Sequence, residues 1–519
     1  MAIVQAVLAL VAACIAFALL ARRFKLPYAV ILVVGGSALA FVPGVPRVTL
    51  DPELALAFFV PPLLQASAWR TDWRAFRANL RPILLLAVGA VLFSAFAVAV
   101  VAKWLLPELP WAAAIALGAI VAAPDAPAAA AVLNTLSIPR RIVVVLLGES
   151  LVNDATALVL YRFAIAAAAA GSVSWGMAAV SFLLVAAGAL GVGWAIGRVA
   201  IWAIGRLRDT LLEIAASFIA CFASFFLAEA LGVSGVVAVV TTGLTMGQLQ
   251  HRVLSSRTRV EARAVWQFSE FLLTSLVFIL VGLQLEGILE RLAGRGAAEL
   301  AGLALGLSAV LIASRFVWVF PVAWLACLLP QARREPMEPW HHLVVISWSG
   351  MRGVVSLAAA LALPLDFPER DLLVFLAFCA ILATLVLQGT TLAWVIRRLG
   401  VEEKRVAAMP PEESAARHAV ARATLAEVQR RAEDVLEGPV AQDLVGEYRD
   451  KARVFHGMAD GGGRAELEAR MRIRLSALRA GRAALLDHHR DGALGDEVLA
   501  GLQEELDFEE LRILRLLRA

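Results

Sequence analysis

Residues 122–127 read Ala122-Ala123-Pro124-Asp125-Ala126-Pro127, two prolines flanking a carboxylate inside an apolar run. Each proline removes a backbone donor and breaks a helix, so a helix crossing here is interrupted. A second run, Trp348-Ser349-Gly350-Met351-Arg352-Gly353-Val354-Val355-Ser356, is a polar, glycine-rich interruption around a cation. Each lies in the fifth apolar stretch of one half of the chain. Paired interruptions at matching positions point to an inverted-repeat transporter with a site at mid-membrane. The two charges suit the breaks. Half-helix N-termini that meet in the membrane leave partial positive charge for a carboxylate to neutralise, and C-termini leave negative charge for an arginine. Asp125 and Arg352 are the candidates for those ends.

Working outward, a span needs roughly 20 apolar residues to cross the hydrocarbon. Thirteen stretches qualify, at about 1–20, 27–45, 50–67, 82–106, 111–135, 142–169, 175–203, 210–231, 234–249, 268–289, 298–329, 342–364 and 371–396. The ninth is short, and Gly35, Gly36 and Pro43 punctuate the second. The fold expected is all-α and polytopic, with about 13 transmembrane helices. Spans 1–6 and 8–13 form inverted repeats, and two interrupted helices cross at mid-membrane. The first span reads as a true span and not a removable signal, because Arg22, Arg23 and Lys25 follow it and more spans come at once. Every second connector is basic: Arg22/Arg23/Lys25, Arg70/Arg74/Arg77/Arg81, Arg140/Arg141, Arg198/Arg206/Arg208, Arg252/Arg257/Arg259/Arg263 and Arg333/Arg334. The alternate connectors hold Arg47, Lys103, Arg291, Arg295 and Arg370. The positive-inside rule then puts the N-terminus outside and the C-terminus inside, which an odd number of spans requires.

The chain of 519 residues is 61% hydrophobic and 17% charged. Its mean hydropathy is +0.78. A soluble globule is about 45–50% apolar and about 25% charged, so that class is excluded. The charge is unevenly placed: residues 1–396 carry 26 Lys/Arg and 20 Asp/Glu, and residues 397–519 carry 21 and 23. The expected domains are therefore a transmembrane body, 1–396, and a cytosolic helical tail, 397–519. The tail repeats Ala, Leu and Val at helical spacing among Glu and Arg, with Gly461-Gly462-Gly463 as a hinge. A net charge of +4 without a basic, aromatic-studded stripe argues against nucleic acid. Cys14, Cys221, Cys327 and Cys379 lie in apolar runs without metal or redox spacing and read as small hydrophobes.

Burying an ionisable group at mid-membrane costs on the order of 3 kcal/mol or more, so the exceptions are informative. They are Asp125, Glu149, Asp154, Arg162, Glu213, Glu229, Glu270, Arg315 and Arg352. At 1.5 Å per residue, Asp154 lies roughly 18 Å into its span, Asp125 roughly 21 Å and Arg352 roughly 15 Å, all near the midplane. The others lie nearer span ends, where snorkelling suffices. Glu213 with Arg315, and Glu229, read as structural or interfacial charges.

The sixth span runs Gly148-Glu149-Ser150-Leu151-Val152-Asn153-Asp154-Ala155-Thr156-Ala157. Ser150 and Asp154 share one helix face, and Glu149 and Asn153 share another. Asp154 can thus offer its carboxylate to a dehydrated cation with the Ser150 hydroxyl beside it, while freed backbone carbonyls supply further oxygens.

These motifs resemble the NhaP-type sodium/proton exchangers of the cation:proton antiporter family. The resemblance spans residues 1–396. It is carried by Pro124-Asp125, by Gly148-Glu149-Ser150 running into Asn153-Asp154-Ala155-Thr156, and by Ser234-Gly235 after Glu229. It continues through Phe278-Ile279-Leu280-Val281-Gly282-Leu283 and ends at Trp348 with Gly350-Met351-Arg352-Gly353 to Ser356. The resemblance implies a homodimer whose six-helix core moves against a dimerisation domain. It implies that Asp154 alternates between a proton and Na+, Li+ or K+, with Ser150 contributing to coordination and Glu149 paired with Arg352. Asn153 before the essential Asp implies electroneutral 1:1 exchange. The chain departs from relatives at Pro124, where a threonine is common, at Ala66 beside Gln65, where an acid is common, and at Thr274 beside Ser275, where an asparagine is common. Glu270 falls where the family usually carries an acid.

The expected function is secondary active exchange of Na+ for H+ across the cell membrane by alternating access. Proton and cation would compete for Asp154, with no enzyme activity and no cofactor beyond the transported ions. No GxxxxGK[ST] motif for nucleotide binding occurs. The alternatives are a cation channel, a uniporter and an intramembrane enzyme. The His341-His342 pair lacks the HExxH spacing of a zinc enzyme and reads as interfacial.

Overall fold

The computed structural model describes residues 2–24, 26–43, 52–125, 129, 132–133, 136–170, 175–292, 294–328, 338–402, 411–433, 438–459, 464–491 and 496–518. Among these residues every regular element is helical. The first part of the chain comprises α1 (Ala2–Phe24), α2 (Tyr28–Ala40), α3 (Pro52–Trp69), α4 (Trp73–Ala78), α5 (Leu80–Leu84), α6 (Val91–Leu105) and α7 (Trp111–Ala122). A π-helical turn, Leu85–Ala90, joins α5 to α6. Then come α8 (Arg140–Ala170), α9 (Trp175–Leu207), α10 (Thr210–Ala230), α11 (Gly235–Val253), α12 (Ser256–Leu283), α13 (Leu285–Arg291), α14 (Ala297–Leu328), α15 (Trp340–Trp348), α16 (Val354–Leu361) and α17 (Arg370–Arg398). The tail holds α18 (Pro411–Arg431), α19 (Gly438–Ala459), α20 (Arg464–Arg490) and α21 (Asp496–Arg518).

Polar residues punctuate the apolar stretches and set the helix ends. Asp72, Asp209, Ser234 and Ser255 each accept a backbone N–H from the first turn of α4, α10, α11 and α12, satisfying donors that have no partner inside the helix. Gly232 and Gly400 terminate α10 and α17 with φ of +72° and +66°. The N–H of the next residue reaches back to Ala228 and Ile396, a closure that favours a residue without Cβ.

Eight helices among the described residues are long and apolar enough to cross a bilayer: those containing Val7–Phe24, Leu80–Leu105, Arg140–Ala168, Leu184–Leu207, Thr210–Ala230, Ser256–Arg291, Ala297–Leu325 and Arg370–Arg398. The sequence reading of about thirteen spans included five further stretches. These fold as α2, α3, α7, α11 and the pair α15/α16, which are shorter, interrupted or more polar.

The chain divides into two compact units, Met1–Glu403 and Lys404–Ala519. Within the first, one apolar core joins residues of α2, α6, α7, α8, α12, α14, α16 and α17. A second gathers α3, α10 and α11 with Phe76, Ile83, Leu151 and Trp266. Ala189, Ala228 and Ala238 bring α9, α10 and α11 close, the small-residue contact by which helices pack where lipid competes for apolar surface. Large apolar side chains cover the outside, with Leu211 and Leu305 74% and 71% exposed. That surface is an aggregation liability in water and a lipid contact in a bilayer. In the second unit, Leu467, Met471 and Ile513 form a small core between α20 and α21, and Arg482 pairs with Asp507 and Glu510 across the same two helices. The Gly461-Gly462-Gly463 hinge, the charges Lys25, Arg47, Arg333 and Arg334, and residues Ala126 and Pro127 lie outside the described residues.

Candidate functional site

The two interruptions meet. α7 stops at Ala122, and Ala123 is extended ahead of Pro124; the residue before a proline is pushed out of the helical region. α15 stops at Trp348 and α16 begins at Val354, leaving Ser349–Gly353 unwound. The Asp125 N–H donates to the Met351 carbonyl at 2.8 Å, so the two broken segments are tied backbone to backbone. Gly353 is required at this crossing, because a Cβ there would run into the Asp125 carboxylate. Arg352 is buried, and its guanidinium donates through Nε to the Val121 carbonyl at 2.6 Å and through Nη1 to the Gly350 carbonyl. It therefore neutralises carbonyls at the C-terminal ends of both α7 and α15. α17 supports the break: Thr384 accepts the Arg352 backbone N–H at 3.1 Å, and Thr391 accepts the Trp348 indole N–H at 2.9 Å.

α8 runs past this crossing and divides its polar residues between two faces. On one, the Asn153 amide donates to the Pro124 carbonyl at 2.6 Å, so Pro124 takes part through its backbone oxygen. On the same stripe Glu149 pairs with Arg315 of α14 at 2.6 and 3.0 Å. This corrects two expectations. The partner of Glu149 is Arg315 and not Arg352, whose Nε and Nη1 donate to carbonyls of the breaks. Nor does Arg315 pair with Glu213 or snorkel to an interface: both members of its pair are 2% exposed, and Arg315 also donates to the Ile346 carbonyl. On the other face, Ser150 and Asp154 line a cavity of about 240 Å³ together with Asp125, Thr274, Ser67 and Arg70. Asp154 is 6% exposed, and among the described residues no basic side chain pairs with it. The buried Thr274 Oγ1 on this cavity has no hydrogen-bond partner among the described residues.

Of the remaining deep charges, Glu213 is buried with its Oε2 unpartnered among the described residues, and the others are paired. Glu270 pairs with Arg70 through two bonds of 2.8 and 2.7 Å, placing it in an ion pair beside the cavity lining. Arg162 pairs with Glu229, which also accepts the Gly235 N–H at the start of α11. Glu338 joins Arg141 to His342, which gives the histidine pair a place in a surface charge cluster. Arg315 and Thr384 are the site residues that sequence reasoning missed. Arg315 carried a signal, since it stands near the middle of a 32-residue apolar helix; an ordinary threonine such as Thr384 carried none.

The arrangement is a buried carboxylate with neighbouring oxygens, set in a cavity of about 240 Å³ beside two tied helix breaks. The family model described as "Sodium/hydrogen exchanger, transmembrane" matches residues 7–398. The chain is 34% identical to an uncharacterized Na+/H+ exchanger of Mycobacterium tuberculosis, over 98% of this chain and 96% of that one. It is 31% identical to the Na+/H+ antiporter ApNhaP of Aphanothece halophytica, over 73% of this chain and 70% of the relative. In fold it is similar to the sodium proton antiporter MjNhaP1 of Methanocaldococcus jannaschii, with a TM-score of 0.60 at 17% identity, over 78% of this chain and 100% of that one.

Proposed function

The chain belongs to the sodium/hydrogen exchanger family of multi-pass membrane antiporters, and from that footing we propose that proton and transported cation compete for one carboxylate, Asp154. The observation that carries this is a contrast along α8. Glu149 is neutralised by Arg315, whereas Asp154, one turn and a half away, faces a cavity with hydroxyls and has no ion-pair partner among the described residues, the lining Arg70 being paired with Glu270. An anion in such a place binds either a proton or a cation, because each removes the charge that attracts the other. Ser150 and Thr274 offer hydroxyl oxygens to the cation, and Na+, Li+ and K+ are the candidates.

The cavity reaches from the connector at Arg70, Thr71 and Asp72 to Asp154. That connector is in the basic, inner set by loop charge, so the cavity is the inward-facing route and the N-terminus lies outside. Asn153 gives its amide to Pro124 and brings no second ionisable group to the site, which supports one cation per proton. We further place transport in residues 1–396, a cytosolic tail in 397–519, and the working unit as a homodimer; these three rest on loop charge, composition and the sequence resemblance.

The test is dequenching of a pH dye in proteoliposomes given Na+, Li+ or K+ pulses at imposed voltages. Wild-type protein is expected to release protons on each accepted cation, at rates independent of voltage. Asp154→Asn should remain folded and exchange nothing. Robust Na+-driven proton movement in that variant refutes the assignment, and cation flux without proton counterflow points to a channel or uniporter instead.

A further inference from the structure

Outside the ion site, a groove of about 650 Å³ runs along α5 and the π-helical turn. Arg77 and Arg81 stand at one end, and Leu80, Leu84, Val88 and Gly89 line the rest. The spacing explains the shape. Arg77 and Arg81 are one helical turn apart, as are Leu80, Leu84 and Val88, so one stripe changes from basic to apolar along its length. Both arginines are exposed, and neither pairs with an acid among the described residues. Leu80 and Leu84 are exposed as well.

The helical segment that carries the groove is braced by its neighbours. The Trp318 indole of α14 donates to the Leu85 carbonyl at 3.0 Å at the start of the π-helical turn. Its ring occupies the space a side chain at Gly89 would need, so the bare glycine lets the indole pack against this turn. On the inner side of the same segment, Ile83 packs against Gly148, leaving no space for a Cβ there. Gly148 immediately precedes Glu149 and Ser150, so the groove is one packed layer from the ion site.

We propose that this groove binds an anionic glycerophospholipid, with the phosphate on Arg77 and Arg81 and an acyl chain along Leu80, Leu84 and Val88. Charge complementarity selects an anionic headgroup, since two guanidiniums line one end and neither pairs with an acid among the described residues. The apolar trough selects a lipid over free phosphate, because phosphate alone would leave it uncovered. The proposal stands on the groove and does not depend on the role of Asp154.

The experiment uses the full chain in detergent. Its thermal midpoint is measured with phosphatidylglycerol, with phosphatidylcholine and with inorganic phosphate, and retained lipid is counted by native mass spectrometry. Phosphatidylglycerol is expected to raise the midpoint and to remain bound at one copy per chain; the other two additives should do neither. The double variant R77Q/R81Q and the groove-filling variant Leu84→Trp should each lose the bound copy and the phosphatidylglycerol shift. Their midpoints in phosphatidylcholine show that they are folded. Equal retention by wild type and variants would place the lipid elsewhere and overturn the proposal. So would a shift reproduced by inorganic phosphate, or no phosphatidylglycerol effect on the wild type.

Discussion

Arg315 and Glu149, 166 residues apart, meet in a two-pronged ion pair of 2.6 and 3.0 Å with both side chains 2% exposed. Desolvating two charges costs several kcal/mol each, and their attraction offsets this only with good geometry and further hydrogen bonds. The fork-to-carboxylate contact and the bond to the Ile346 carbonyl supply both. Removing one partner leaves a charge stranded in an apolar surround. Arg315→Met alone is therefore expected to destabilise the fold by about 3–5 kcal/mol. The double variant Glu149→Leu/Arg315→Met should recover most of that loss, and thermal unfolding of the purified protein reads both. Arg315→Lys should resemble Arg315→Met more than wild type, since an ammonium cannot form the planar fork.

The crossing at Gly353 gives a steric prediction. Asp125 is held by its backbone bond to Met351, and its own Cβ would lie 2.6 Å from the new methyl group, so turning the carboxylate aside does not relieve the clash. Overpacking of this kind costs about 1–3 kcal/mol, and here it falls on the segment that must keep its shape beside the ion. Gly353→Ala should lower exchange by about fivefold or more on that scale. Gly191→Ala, on an exposed face of α9 with open space around it, should leave exchange intact, because alanine favours the helix by up to ~1 kcal/mol. Proton release from proteoliposomes compares the two.

How far such features can be read before a structure depends on how local their causes are. Proline and glycine act on their own backbone, so the breaks at Pro124 and at Gly350–Gly353 are visible in residue types alone, as is the division of Ser150/Asp154 from Glu149/Asn153 on α8. Partner choice is not local. Depth along α14 marks Arg315 as buried, but whether Glu149 meets Arg315 or Arg352 depends on helix rotation and neighbours, which periodicity within one helix does not encode. Nor does hydropathy distinguish a full crossing from two half-helices: α15 and α16 together read as one span because the unwound Ser349–Gly353 between them is short.

Asn153 offers a test of the tie between α8 and the first break. Its amide is the donor to the Pro124 carbonyl, and losing the partner of a buried carbonyl costs about 1–3 kcal/mol. Asn153→Ala should thus lower the unfolding midpoint and slow exchange for every cation alike. A change confined to one cation would instead mark Asn153 as an ion ligand.

The tail has its own stability. Ile513 is buried with Leu467 and Met471 between α20 and α21, and an Ile→Ala truncation in a core costs about 2–5 kcal/mol. Ile513→Ala should speed hydrogen exchange across 464–518. In α18, hydrogen bonds from Arg430 and Arg431 hold the Glu427 carboxyl below the usual carboxylate range. With its folded pKa depressed, the pairing contributes above the ordinary value of 4.5 and is lost as pH falls through the lowered one. Lowering the pH from 7 to 5 should leave exchange around 427–431 unchanged after correction for intrinsic rates.

The pair Arg70–Glu270 makes the most direct electrostatic prediction for cation binding. Its side chains are 38% and 20% exposed, so the pair is worth only about 0–1 kcal/mol to the fold. Arg70 lines the cavity that leads to Asp154, and Glu270 cancels its charge. Glu270→Gln leaves a lone positive charge at the lining and should raise the apparent KM for Na+ several-fold. Arg70→Gln leaves a lone negative charge and should lower it. The double variant Arg70→Gln/Glu270→Gln should return close to wild type. Initial rates of proton release against Na+, at ionic strength fixed with choline chloride, give the three values. Both single-variant shifts should shrink as the salt rises, because the screening length falls from about 10 Å at 0.1 M to about 3 Å at 1 M. If both single variants move KM in the same direction, the pair acts on the shape of the cavity and the charge argument fails.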